Sequence, residues 1–159
     1  MADKQTKPDP SERLVTSNRK ARHNYHILES IEAGLVLVGT EVKSLRMGKC
    51  NLVDSYARVT DEEVFLDKMH ISPYDPANRF NHDPTRTRKL LLRRREIRRL
   101  IGKIQEKGLT LIPLRIYFKG RHAKVELGLA RGKRMYDKRE AISKRESDRE
   151  MQRSVFRRR

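Results

Sequence analysis

The composition of this chain breaks at Arg131, and the break limits how much of it can fold. From Arg131 to Arg159 there are twelve Lys/Arg against five Asp/Glu, and beyond Arg139 the only apolar residues are Ala141, Ile142, Met151, Val155 and Phe156. So few apolar groups cannot offset the conformational entropy of ordering the segment. We therefore read residues 131–159 as a basic C-terminal tail, disordered alone, and residues 17–130 as the folding unit. Charge pairs four apart, such as Glu140 with Lys144, would let a polyanionic surface induce a helix in the tail. The formal net charge of +17 divides into +7 on the tail and +10 on the remainder. Such a charge destabilises a compact state by self-repulsion unless a polyanion is bound, and RNA or DNA fits best. A solvated solubility tail is the competing reading, and it needs no ligand.

The rest of the composition narrows the class. A length of 159 residues permits one domain with a modest core, and we expect a monomer. The single Cys50 excludes an internal disulfide and supplies no thiolate cluster for zinc, which points to a reducing, cytoplasmic setting. Residues 1–16 carry charges and prolines without periodicity and are expected to form a disordered leader. They contain no apolar signal core, and the longest apolar stretch of the chain is Leu35 to Val38, so neither export nor membrane insertion is expected.

Between these ends the pattern is that of short strands. From Ala21 to Val38, Tyr25, Ile27, Ile31 and Ala33 fall on one face of a strand, although Ile27, Leu28, Ile31 and Leu35 also fit a helix. The β-branched content and the Ala33-Gly34 break predict two strands joined near Gly34. Thr40 is a candidate cap for a short helix ending at Gly48. Ser55 to Val59 and Val64 to Ile71 read as a hairpin around an acidic turn, and Ser72 to Asp83 as an irregular loop. Ile97, Leu100, Ile101 and Ile104 give one apolar stripe, predicting a helix from about Arg93 to Lys107 with Gly108 at its end. Thr110 to Phe118 and Ala123 to Ala130 are two further strands. The predicted fold is mostly β: a small closed antiparallel barrel with about three flanking helices.

No set of residues supplies a base, a nucleophile or a metal cage in one place, so no enzymatic activity, cofactor or metal is expected. His23 and His26 would face opposite sides of a strand, and no carboxylate or cysteine motif accompanies them. GLARGKR, Gly128 to Arg134, has the wrong spacing for a phosphate-binding loop and Arg134 where a hydroxyl belongs. What remains is three basic clusters: Asn18, Arg19, Lys20, Arg22 and His23; Arg86, Arg88, Lys89, Arg93, Arg94 and Arg95; and Arg131, Lys133, Arg134, Lys138 and Arg139 around Tyr136. Guanidinium forks match phosphate geometry, and Tyr136 or His23 can stack on an unpaired base. The scarcity of other aromatics argues for recognition of shape and backbone in a structured RNA rather than for a multi-base stacking platform.

The strings NRKARHNY (Asn18 to Tyr25), IEAG (Ile31 to Gly34), GTEVKSLR (Gly39 to Arg46), DSYA (Asp54 to Ala57), DPTRTRKLLLRRREI (Asp83 to Ile97) and GLARGKRMYDKR (Gly128 to Arg139) resemble the SmpB family, the SsrA-binding proteins of bacterial trans-translation. The similarity runs in unbroken order from Asn18 to Arg139. The resemblance implies an OB-like barrel that binds the tRNA-like domain of transfer-messenger RNA and promotes its charging with alanine, so that alanyl-tRNA synthetase is an indirect partner. It also implies delivery, with the elongation factor that carries aminoacyl-tRNA, to a stalled 70S ribosome. There the tail would become helical in the empty mRNA channel, beside the small-subunit RNA of the decoding centre.

The same resemblance ranks residues. Glu32 matches an acidic position on the RNA-binding side, where its carboxylate would accept from a base edge or a ribose hydroxyl. Leu91, Leu92 and Arg93 match the segment that meets the folded loops of the RNA. Arg93 often has a short polar counterpart in the family, and a phosphate contact is the expected substitute. Asn18, Lys20, Arg22, His23, Lys43, Arg86, Arg88 and Lys89 complete the expected RNA-contacting set. Gly132 and Lys133 match the hinge; Arg134, Tyr136, Asp137, Lys138 and Arg139 match the ribosome-binding part of the tail, with Asp137 as a helix cap. A structural ribosomal protein or a general basic RNA binder is the alternative.

Overall fold

The computed structural model describes residues 10–157. Nine strands and four helices follow in the order β1 (Glu12–Ser17), α1 (Arg19–Asn24), β2 (Tyr25–Leu35), α2 (Gly39–Arg46), β3 (Cys50–Asn51), β4 (Tyr56–Thr60), β5 (Glu63–Asp67), β6 (His70–Ile71), β7 (Arg88–Leu91), α3 (Arg94–Lys107), β8 (Thr110–Lys119), β9 (His122–Gly132) and α4 (Met135–Arg157), with a 3₁₀ turn at Asp75–Phe80. The main sheet runs β1-β8-β4-β5-β7-β2-β9, and an additional β8–β9 pairing joins its ends into a ring of six strands with β1 outside on β8. Every pairing is antiparallel. Closure of this kind removes the two free edges that an open sheet would leave.

The interior is filled from alternate positions of the strands, as the pleat requires. Val64 and Leu66 of β5, Leu90 of β7, Leu111 and Ile116 of β8, and Val125, Leu127 and Leu129 of β9 are all buried, with Leu45 of α2 and Ile97 and Leu100 of α3 packed against the same core. The stripe predicted for α3 is thus the face it buries. Gly108, at φ +58, ends the helix by donating its N–H to Ile104 O at 3.1 Å. A second, smaller apolar cluster of Ala21, Ile112, Leu114 and Ala130 seats α1 against β8 and β9.

Four expectations need correction. The first nine residues of the predicted leader lie outside the described residues, but residues 12–17 are a strand, because β8 meets β4 only at Leu111 and leaves the edge of residues 115–119 for β1 to pair with. Residues 21–38 are not two strands: Asn18 caps α1 by accepting from Ala21 N–H, and a single eleven-residue strand follows. Gly34 lies inside that strand, paired with Lys124 on one side and Leu91 on the other, and a Cβ there would come within 3.2 Å of Leu91 Cβ. The glycine permits close passage rather than a turn. Thr40 is not the cap of α2. Val38 N–H donates to Glu41 Oε2 at 3.0 Å, and Thr40 Oγ1 pairs instead with His82 Nδ1 at 2.9 Å. Finally, the barrel extends past residue 130 to Gly132, and the tail from Met135 to Arg157 is one continuous helix. The Asp137 carboxylate starts it by accepting from Arg134 N–H at 3.2 Å, and good helix formers carry it on.

Candidate nucleic-acid interface

The strand β7 has a two-residue pleat, and that pleat sorts the second basic cluster. Lys89 and Leu91 point outward, while Arg88 and Leu90 point into the barrel. Leu91 is 55% exposed. It lies with Ile31, Glu32, Gly34, Leu92, Arg93 and Lys124 along a groove of about 520 Å³ between β2 and the start of α3. Glu32 and the Leu91-Leu92-Arg93 segment, separated by nearly sixty residues in sequence, therefore share one site.

The groove has both polar and apolar recognition elements. Tyr117 OH donates to Glu32 Oε2, Lys124 Nζ stands 3.7 Å from Oε1, and Lys119 Nζ lies at 4.0 Å from Oε2. Burial and the Glu32 hydrogen bond push the Tyr117 hydroxyl pKa upward, so it stays a proton donor. The Glu32 carboxylate is thereby an acceptor held in place beside a cation, able to take a hydrogen bond from a base edge or a ribose hydroxyl. Leu91 offers apolar contact, and the exposed Arg93 a phosphate partner. Glu96 holds the Arg93 backbone by accepting from its N–H at 2.8 Å.

The first cluster lies on α1. Arg19, Lys20 and Arg22 are exposed and His23 is half-buried. The root of the tail is fastened to the same helix: Lys133 N–H donates to Asn24 O at 2.8 Å, and Lys133 Nζ to Arg22 O at 3.0 Å. His26 Nε2 lies 3.6 Å from Asp137 Oδ2, a further tie between β2 and α4. Gly132 pairs with Tyr25 at the end of the ladder. Arg134, Tyr136 and Arg139 are exposed, with Tyr136 at 74%, and Lys138 is half-buried. Arg94 and Arg95 on α3 have no ion-pair partner among the described residues, whereas Arg98 and Arg99 face Glu62 and Glu29.

The structure removes two residues from the predicted RNA-contacting set. Arg88 is fully buried; its Nε donates to Glu41 Oε1 at 2.8 Å, and its terminal nitrogens to Met69 O, Arg86 O and Pro84 O. Counting charge treats every arginine as surface, and only the pleat of β7 shows that this one faces inward. Asn18 is buried and structural, with its amide nitrogen donating to Leu52 O and Pro113 O. Arg86 is partly diverted, holding both oxygens of Glu41 at 2.8 and 2.6 Å, and Lys89 pairs with Glu63. Burial raises the Glu41 carboxyl, but the Arg86 and Val38 hydrogen bonds and the Arg88 charge outweigh it, leaving its pKa below the ordinary value. Lys43 stands apart on α2, 5.2 Å from the Tyr74 ring. Lys124 and Tyr117 went unnoticed in the sequence: a lone Lys and a Tyr in an apolar strand carry no local signal, and only the β2–β9 register brings Lys124 to the groove.

No described helix is long and apolar enough to cross a membrane, and no three described His, Cys, Asp or Glu residues are grouped to hold a metal ion.

Comparison with known proteins agrees with this architecture. A family model described as SmpB protein matches residues 15–157. An SsrA-binding protein of Carboxydothermus hydrogenoformans is 59% identical over 144 residues, covering 91% of this chain and 97% of the relative. One of Desulforudis audaxviator is 63% identical over 144 residues, covering 91% and 94%. A chain of the solved structure "tmRNA-SmpB: a journey to the center of the bacterial ribosome" is 55% identical, with a TM-score of 0.65 over 80% of this chain and 93% of that one. With a family match spanning the barrel and most of the tail, and with relatives this similar along nearly their whole length, the chain belongs to the SmpB family of SsrA-binding proteins.

Proposed function

We propose that the chain is a non-enzymatic RNA-binding factor of ribosome rescue, gripping transfer-messenger RNA with its barrel and acting on stalled ribosomes in trans-translation. The observation that carries the reading is the groove in which Glu32, Leu91, Leu92, Arg93 and Lys124 converge. It offers an oriented acceptor, an apolar contact and cations in one concavity, the mixture that a folded RNA loop presents partners for. The relatives' name, SsrA-binding protein, and the solved tmRNA-SmpB structure support the same partners.

In this reading the barrel recognises the tRNA-like domain and promotes its alanylation by presenting it to alanyl-tRNA synthetase. The elongation factor for aminoacyl-tRNA then joins the complex on its way to the stalled 70S ribosome. The tail reads the empty mRNA channel. Its helix projects basic side chains and the exposed Tyr136 from a fixed root at Lys133, suited to ribosomal RNA near the decoding centre. A bacterial cytoplasmic location follows from the ribosomal partner.

A competition assay at near-physiological salt tests the reading, with labelled transfer-messenger RNA bound to the full chain and excess ordinary tRNA as competitor. Retention of the label is the expected result. Ready displacement by tRNA would make this a general basic RNA binder. The assay must hold ionic strength fixed, because each phosphate contact adds to the salt dependence.

A further inference from the structure

A pocket of about 310 Å³ opens between α1 and the turn before β4, lined among others by Lys20, Asn24, Tyr25, Asp54 and Tyr56. Its two walls are tied by Asn18. The side-chain amide nitrogen reaches Leu52 O at 3.4 Å and Pro113 O at 3.2 Å, while its oxygen accepts from Ala21 N–H at 3.2 Å. Ser55 fastens the same turn, its N–H and Oγ both donating to Leu52 O. The pocket is therefore formed before any ligand arrives, and its walls lose little freedom on binding.

The lining has the chemistry of a base-binding site. Tyr56 is 37% exposed and offers its ring for stacking, while the half-buried Tyr25, packed on the second apolar cluster, lines the pocket beside it. Asp54 holds a left-handed backbone, φ 63, on the anchored turn, and makes no ion pair among the described residues. The carboxylate oxygens are hydrogen-bond acceptors, so they favour a base with N–H donors on its edge. Guanine presents two side by side, adenine only its amino group and uracil a single imide N–H. Lys20 is exposed at the rim without an ion-pair partner among the described residues, and Lys68 Nζ stands 5.9 Å from the Tyr56 ring centroid. Both can meet the phosphates on either side of a bound base.

We propose that this pocket is a further RNA site, separate from the Leu91 groove, that takes one unpaired base, guanine in preference, from a strand passing the root of the tail. The proposal rests on the RNA-binding reading above. The pocket adjoins the hinge directly: Asn24 lines it and accepts Lys133 N–H, and Tyr25 pairs with Gly132. A base held there lies beside the joint from which α4 departs.

The test is an NMR titration of the full chain, with its five tyrosines labelled at the rings, against the RNA pentamers UUGUU, UUAUU and UUUUU. The Tyr25 and Tyr56 signals should move to a saturable endpoint, with UUGUU at least about fivefold tighter than the other two. Tyr56→Ala should weaken UUGUU by at least about fivefold, and Tyr56→Phe should not. Asp54→Asn, on an exposed turn, should erase the guanine preference while leaving binding, and it carries the test alone should Tyr56→Ala fail to fold. Equal shifts at all tyrosines, no preference among the pentamers, or wild-type binding by Tyr56→Ala would overturn the site. The competition assay reads a different event. Pentamers without effect on a chain that withholds transfer-messenger RNA from tRNA would remove the pocket and leave the function standing; a responsive pocket with ready displacement would do the reverse.

Discussion

Arg88 Nε lies 2.8 Å from Glu41 Oε1, and both side chains are fully withdrawn from solvent. The pair joins β7 to α2 across the barrel end, with Arg86 as a half-exposed third member. Removing one member of a buried pair strands the other without its counter-charge. Glu41→Ala should cost about 3–5 kcal/mol in urea unfolding, while Arg86→Gln should cost less. The contribution also has a pH sign. Glu41 titrates below its ordinary value of 4.5 when folded, so its share of stability is complete above that pH and fades as pH falls through the folded pKa. The stability gap between wild type and Glu41→Gln should narrow over the same range.

The groove predicts a separation of stability from binding. Leu91 is largely exposed, so Leu91→Ala should leave the unfolding free energy within about 0.5 kcal/mol of wild type. The same variant should weaken transfer-messenger RNA in the competition assay. Gly34→Val should weaken it as well, because the added side chain crowds Leu91 in the groove; Gly34 faces Leu91 Cβ at 3.2 Å even for a Cβ alone. An unchanged affinity for both variants would displace the RNA from this groove.

The place of a truncation matters. A chain ending at Lys133 keeps the Gly132–Tyr25 pairing and the Lys133–Asn24 hydrogen bond, and should bind transfer-messenger RNA while failing to support peptide tagging. A chain ending at Ala130 loses those ties and the Arg131–His26 pairing, and should melt at a lower temperature. Tagging by the Lys133 truncation would contradict a tail that signals on the ribosome.

Helix α4 exposes most of its side chains, including Met151, Val155 and Phe156. Helices of this kind open locally at little cost. Amides beyond Glu140 should therefore exchange rapidly with solvent in the free protein, while those of β2 and β9 are protected, and binding to the ribosome should slow the former. Strong protection in the free protein would mean that the helix is stable without a partner.

Cys50 gives a chemical check on packing. Burial pushes its thiol up to about 11, so little thiolate exists near neutrality. Alkylation by iodoacetamide should be slow at pH 8 and accelerate toward pH 11. Rapid labelling at pH 8 would place the thiol in a more open setting.

The legible parts of this chain were those written in local periodicity. The stripe of α3, the β4–β5 hairpin and the β8–β9 pair lie close to where the pattern puts them, because each buries one face set by nearby residues. Charge counting misplaces Arg88 and Asn18 for one reason: their partners, Glu41 and Pro113, come from distant segments that only the closed ring brings near. The strand at residues 12–17 has no local signature, because its support is an edge supplied by β8, about a hundred residues on. Family resemblance singles out Glu32 and Leu91, and the β2–β7 register brings them into one groove.

The ring is closed by β9, which pairs with both β2 and β8. Its contacts with β2 join Ala33 to Val125, so the decisive pairing is remote in sequence and costly in loop closure. During synthesis, β2 must wait until nearly the whole barrel has been made. A message broken before the codon for Gly132 yields a product in which the β2–β9 ladder is incomplete, and one broken before β9 leaves strand edges that invite aggregation. The order of the strands thus makes an unfinished copy of this protein a poor folder.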